Sequence, residues 1–147
     1  MINQLTVFLE NKPGRLLSLC STLGEAGINM RALMVADTTE FGIVRIVCDA
    51  PQRARELLRA QGYSASITKV LAVQVPDEPG ALADILRAAD EAGANIEYAY
   101  CFLEPARGGA VNVFKVGANE GASAEQALRA AGFVTIEEAD IYPSEVA

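Results

Sequence analysis

Two short segments hold the residue types best placed to meet a small charged molecule: Asn11-Lys12-Pro13-Gly14 and Asp77-Glu78-Pro79-Gly80. Proline fixes the backbone on entry to a helix, and glycine lets an incoming group approach the main chain with no side chain in the way. The N–H groups of a first helical turn point outward and carry partial positive charge, so a carboxylate fits there. A side-chain oxygen of Asn11 or Asp77 can hold an ammonium beside it. An α-amino acid presents both charges on one carbon. Pro-Gly at a helix entry is also a common turn, and a duplicated fold repeats its turns. Asn29 and Asn95 form a second recurring element, each following a glycine segment and preceding an apolar residue. Either asparagine is a ligand contact or a turn residue bonded to its own neighbours; residue type alone leaves both readings open.

Other chemistries lack their residues. Histidine is absent, which removes the most versatile general base and the commonest metal ligand. No Ser/His or Cys/His pair is possible, and neither G-x-x-x-x-G-K-[ST] nor G-x-G-x-x-G occurs. An acylphosphatase-like hydrolase would need an arginine at the first strand–helix turn; Arg15 is the candidate in one half, but Ala81 stands at its counterpart. An enzyme is not expected, nor a cofactor. Cys20, Cys48 and Cys101 form an odd set without CxxC spacing, against a disulfide framework and against zinc, and read as small buried hydrophobes.

Net charge is −7, unevenly placed: residues 1–69 hold 8 Lys/Arg against 6 Asp/Glu, and residues 70–147 hold 4 against 13. An acidic chain without a basic cluster is a poor partner for nucleic acid or an anionic membrane. No apolar run approaches the roughly 20 residues of a membrane span, and Met1-Ile2-Asn3-Gln4 lacks a signal-peptide layout. A cytoplasmic protein is expected.

The elements that must position these segments come in duplicate. With 147 residues, 51% apolar and 21% charged, the chain has the composition of a packed globular protein. Laid on itself at an offset of 66, it aligns the two Pro-Gly segments, Gly27-Ile28-Asn29-Met30 with Gly93-Ala94-Asn95-Ile96, and Leu5, Val7, Leu9 with Leu71, Val73, Val75. Two domains, 1–69 and 70–147, follow. Each reads as strand, helix, strand, strand, helix, strand. Leu5, Val7 and Leu9 alternate with Thr6, Phe8 and Glu10, a strand with one buried face. Leu16, Leu19, Cys20 and Leu23 form a helical stripe against it, with counterparts Leu82, Ile85, Leu86 and Ala89. Gly27 and Gly93 close these helices. A turn near Asp37-Thr38-Thr39 leads to a strand over 41–48, whose partner is 110–116. Asp49 is an N-cap candidate for the second helix, and Ser123-Ala124-Glu125-Gln126 has capping-box spacing. Gly62 and Gly132 end the second helices, and 63–68 and 134–141 supply the last strands. Right-handed crossovers place both helices of each copy on one face of an antiparallel sheet, an α+β, ferredoxin-like arrangement.

The pattern x-Asn/Asp-x-Pro-Gly-x-Leu, a dozen helical residues, then Gly-x-Asn-Ile/Met resembles the ACT domain, a small-molecule-sensing module of amino-acid metabolism, and does so in both copies. Ala36-Asp37-Thr38-Thr39-Glu40-Phe41-Gly42 and Asn95-Ile96-Glu97-Tyr98-Ala99-Tyr100 are similar to stand-alone tandem ACT proteins of bacteria. The resemblance implies a binding and regulatory protein with its ligand between two domains, at the strand-one/helix-one loop of one and the strand-two asparagine of the other. One site would use Asn11, Pro13, Gly14 and Arg15 with Asn95 and Ile96; the other would use Asp77, Pro79, Gly80 and Ala81 with Asn29 and Met30. Asp77 departs from the asparagine that many ligand-binding ACT domains have, and can repel a ligand carboxylate. Tyr98 and Tyr100 share a strand face and are either core packing or the wall of a side-chain pocket. The implied partners are a free amino acid or similar small zwitterion and a regulated enzyme; a homodimer is expected separately, because edge strands of small sheets invite pairing and most soluble oligomers are twofold. The alternative is the regulatory small subunit of acetolactate synthase, whose second half lacks a second Pro-Gly loop.

Overall fold

The computed structural model describes residues 1–37 and 41–142. Residues 38–40, within the turn expected near Asp37-Thr38-Thr39 and within the Ala36–Gly42 stretch, lie outside the described residues. The elements in chain order are β1 (Ile2–Glu10), α1 (Arg15–Glu25), β2 (Met30–Asp37), β3 (Phe41–Cys48), α2 (Pro51–Ala60), β4 (Ser64–Pro76), α3 (Ala81–Glu91), β5 (Ile96–Glu104), a 3-10 turn (Pro105–Arg107), β6 (Gly109–Val116), α4 (Gly121–Ala130) and α5 (Glu138–Ile141). The chain is α+β and forms two compact units, one of Asn3–Thr68 and one of Met1–Ile2 with Lys69–Ala147.

In the N-terminal unit the strand order is β2-β3-β1-β4, with β3 antiparallel to both its neighbours. Leu5, Val7 and Leu9 alternate inward as their spacing requires, and pack with Val44, Ile46, Leu19, Leu23, Ala54 and Leu58. In the C-terminal unit β4 pairs with β6, and β6 with β5, all antiparallel. Its core is Leu71, Val73, Val75, Ile85, Phe114, Val116, Ala124 and Leu128.

The helical stripe is narrower than its sequence spacing suggests. Leu19 and Leu23 are buried, but Leu16 is 40% exposed and Cys20 only half-buried; likewise Ile85 and Ala89 are buried while Leu82 and Leu86 are exposed. Each first helix therefore sets its i+3 and i+7 residues on the sheet and leaves its i and i+4 residues only partly covered. Burial pushes the Cys20 thiol pKa up. Cys48 is buried, but Cys101 is exposed on β5, contrary to the expectation for all three cysteines.

Two caps and one strand differ from expectation. Helix α2 starts from Ala50, with Pro51 in its first turn, and no side chain caps it; the Asp49 carboxylate is drawn away to the N–H of Asn29. Helix α4 starts at Gly121, so Ser123 lies inside its first turn and donates its hydroxyl to the Glu120 carbonyl, and no capping box forms. The segment 134–141 is not a strand. It touches β4 at one bridge, Val73 to Thr135, with the Gln74 and Ile136 N–H groups donating to the Val134 and Ala72 carbonyls. It then turns into α5, where Glu137 and Asp140 form a reciprocal capping box. No helix among the described residues is long and apolar enough to cross a membrane.

Candidate ligand site

At the end of β1 the chain bends through Asn11 and enters α1 at Gly14, whose φ of 84° is left-handed and unfavourable for a residue with a Cβ. The Arg15 N–H donates to the Lys12 carbonyl at 3.3 Å, and the Ser18 N–H donates to the Gly14 carbonyl at 2.9 Å. Between them, the N–H groups of Leu16 and Leu17 meet no acceptor among the described residues, and no side chain caps the helix. The C-terminal unit repeats this geometry. Gly80 has φ 89°, Ala81 donates to Glu78, Asp84 donates to Gly80, and the Leu82 and Ala83 N–H groups are left open. Space beside both glycines is clear, with no heavy atom within 4 Å of where a Cβ would stand. Each helix start is thus an uncovered pair of main-chain donors.

The two loops differ in charge. In the N-terminal unit Glu10 bonds Lys12 at 2.6 Å and lies 3.7 Å from Arg15. The Lys12 ammonium, by hydrogen bond and charge, and then Arg15 hold the Glu10 carboxyl below its ordinary range. A cleft of about 150 Å³ opens beside this loop, bounded by Leu9, Asn11, Arg15, Leu16, Val35 and Gly42. A second, of about 240 Å³, lies past Glu10 and Arg15 against Phe8, Phe41 and Tyr63. At the corresponding positions the C-terminal loop has Pro76, Glu78 and Ala81, with Asp77 for Asn11, and carries only negative charge.

Asn29 and Asn95 are exposed and immediately precede β2 and β5. Their main chains are pinned in the same way: Asn29 N–H to Asp49 Oδ1 at 3.1 Å, and Asn95 N–H to Glu120 Oε2 at 2.8 Å. Sequence reading missed Asp49 and Glu120 as partners of these asparagines; the available signal was an acidic residue before the second helix in each copy. A β-bulge follows in both units, between Met30 and Ala32 and between Ile96 and Tyr98. Met30 and Ile96 pack partly into the cores of their own units. Beyond the bulge, Tyr98 pairs with Lys115 and Tyr100 with Val113, which sets both half-buried rings on the sheet face away from Phe114 and Val116.

Within one unit the loop and the asparagine do not meet. Glu10 pairs with Phe41 and Asp37 with Gly42 at one end of the sheet, whereas Met30 pairs with Cys48 at the other. Eight residues of strand separate the ends, roughly 25 Å. The C-terminal unit has the same polarity, Pro76 beside Gly109 and Ile96 beside Val116.

A family model for an ACT domain pair matches residues 1–141. The solved structure of a Bacteroides thetaiotaomicron protein is 31% identical, with a TM-score of 0.86 over 97% of this chain and 96% of that one. The ligand-free regulatory subunit of aspartate kinase from Thermus thermophilus is 20% identical, with a TM-score of 0.64 over 88% of this chain and 91% of that one. The same subunit from Thermus flavus is 19% identical, with a TM-score of 0.61 over 88% and 92%. No curated protein matches the chain.

Proposed function

We propose, from the premise that this chain belongs to the ACT domain pair family, that it binds a free amino acid between two ACT units and passes its occupancy to an enzyme partner. ACT domains are regulatory small-molecule-binding domains, and such domains, not catalytic ones, make up the matched residues. What carries the amino-acid reading is the separation just described. Each unit has open donors for a carboxylate at one end and a pinned asparagine at the other, so a complete cradle takes its two halves from different units. Asn11, Pro13, Gly14 and Arg15 would work with Asn95 and Ile96, and Asp77, Pro79, Gly80 and Ala81 with Asn29 and Met30. Because both units keep the open loop, nothing in the geometry favours the acetolactate synthase subunit.

The second half comes from the sister unit or from a second copy. Among the described residues β2 and β5 stand at the ends of the strand order, which supports a twofold dimer, and the three free thiols fit a reducing cytoplasm. The Thermus neighbours are regulatory subunits of an enzyme, and a regulated enzyme is the partner class proposed here. Isothermal titration against the twenty amino acids tests the reading. Saturable binding of at least one at physiological concentration is expected; binding of none overturns it.

A further inference from the structure

Strand β3 has a glycine where neither its backbone nor its neighbours require one. Gly42 pairs with Leu9 on β1 and with Asp37 on β2. Its φ lies outside the left-handed region, and a Cβ built on it meets nothing closer than Val35 Cγ1 at 3.7 Å, an ordinary contact. Glycine inside a strand gives up side-chain packing and loses more conformational entropy on folding, and it recurs where a ligand or another main chain approaches closely. The C-terminal unit shows the alternative: Ala110, paired with Val75 and Leu103, occupies the equivalent position and carries the methyl that Gly42 lacks.

The missing side chain borders a cleft. Val35, which a Cβ at position 42 would touch, and Leu9, whose carbonyl oxygen it would face at 3.9 Å, both line the space of about 150 Å³ beside the first strand–helix loop. Leu16 joins this cleft to the open donors: its side chain is part of the wall, and its main-chain N–H is one of the two that meet no acceptor among the described residues at the start of α1. An apolar cavity of about this volume accommodates a benzene ring. At the rim, Glu10 bonds Lys12 at 2.6 Å and lies 3.7 Å from Arg15. A cationic side chain entering there would meet the two cations, and an anionic one would meet the carboxylate that holds them.

We propose that this cleft takes the side chain of the amino acid whose carboxylate lies on the Leu16 and Leu17 N–H groups, and that the absence of a Cβ at Gly42 makes the site selective for an apolar side chain larger than a methyl: valine, leucine, isoleucine, methionine or phenylalanine. The inference rests on the amino-acid reading above and names the ligand class of that site. Each methylene buried against Leu9, Leu16 and Val35 adds to affinity, whereas a methyl at position 42 takes up part of the space and excludes the largest side chains first.

The test compares the full chain with Gly42→Ala and Gly42→Val by calorimetric titration of the five larger apolar amino acids, of glycine and alanine, and of serine, aspartate, glutamate and lysine. The wild type is expected to bind one of the first five best. Gly42→Ala should weaken that ligand by about tenfold or more while changing the affinity for alanine by less than about twofold, and Gly42→Val should weaken it further. Free Gly42→Ala is expected to melt at or above the wild-type temperature, because it replaces a strand glycine without a clash. In the wild type, the methyl resonances of Leu16 and Val35 are expected to shift on saturation; this measurement needs no stable variant. Unchanged affinity in both variants, a lower melting temperature for free Gly42→Ala, stationary Leu16 and Val35 methyls under a bound ligand, or a wild-type preference for a polar, charged or smaller amino acid each overturns the inference. Wild-type protein that binds no amino acid at all fails the functional reading first, a result distinct from a bound ligand that ignores position 42.

Discussion

The main-chain N–H of Asn29 donates to the Asp49 carboxylate at 3.1 Å, and the N–H of Asp49 donates back to the Asn29 carbonyl at 3.1 Å. The C-terminal unit forms the same two-way clamp, Asn95 N–H to Glu120 at 2.8 Å and Gly117 N–H to the Asn95 carbonyl at 3.0 Å. An acidic residue before each second helix thus fixes the start of each edge strand and the backbone of the asparagine proposed to contact the ligand. Asp49→Ala is expected to destabilise its unit by about 1 kcal/mol, with hydrogen exchange speeded more at the Asn29 amide than at the amides of β2. Equal speeding at Asn29 and along β2 in the variant would contradict the clamp.

Gly14 and Gly80 hold left-handed backbone with open space around them. Alanine at either place meets no neighbour, so its cost is conformational alone, about 1 kcal/mol. Gly109 differs, because a Cβ there would strike the Val75 carbonyl oxygen of the paired strand. Gly109→Ala is expected to lower the melting temperature more than Gly14→Ala or Gly80→Ala. Comparable shifts in all three would contradict the distinction.

Glu10 tests the basic character of the N-terminal loop. Lys12 and then Arg15 lower its pKa from 4.5, so the ionised, paired carboxylate contributes stability above the unfolded-state pKa. That contribution is lost as pH falls through the lower folded-state value. Carbon-detected titration of the Glu10 carboxyl is expected to give a midpoint below 4.5. The joint replacement of Lys12 and Arg15 by alanine should raise it toward the ordinary value; an unchanged midpoint would contradict the pairing.

The charge difference between loops predicts unequal sites. Asp77→Asn removes a negative charge from beside the donors of Leu82 and Ala83, and should tighten binding of a carboxylate ligand there by about twofold to fivefold at low salt, with the gain fading as salt rises. Lys12→Ala with Arg15→Ala should weaken the other site in the same measure. Calorimetric titration at two salt concentrations reads both effects, and an affinity indifferent to Asp77→Asn would remove the argument for inequality.

The parts of the fold set by local periodicity were legible in the sequence. Alternation in 5–9 and 71–75, the Pro-Gly entries and the repeat at 66 residues all lie where the structure has β1, β4, α1 and α3. What was not legible depended on partners distant in the chain. Asp49 reads as a helix cap until Asn29 folds back to claim its carboxylate, and Ser123 reads as a cap until α4 starts before it. The segment 134–141 looks β-rich, yet Glu137 and Asp140 satisfy the N–H groups of a helical turn and end the strand after one bridge. The exposed Leu16 and Leu82 have the spacing of core residues, and their spacing alone does not separate them from the buried Leu19 and Ile85. In the candidate site, residue types indicated the open donors, while the opposite placement of loop and asparagine within a unit needed the strand register.

The most direct measurement follows the backbone amides of Leu16 and Leu17, and of Leu82 and Ala83, by nitrogen-15 correlation spectroscopy while an amino acid that binds in calorimetry is added to saturation. At least one of these two pairs is expected to shift downfield and gain exchange protection, together with the amide of Asn29 or Asn95. Saturable binding that leaves all four helix-start amides unmoved would contradict a carboxylate held at the glycine-opened helix entries.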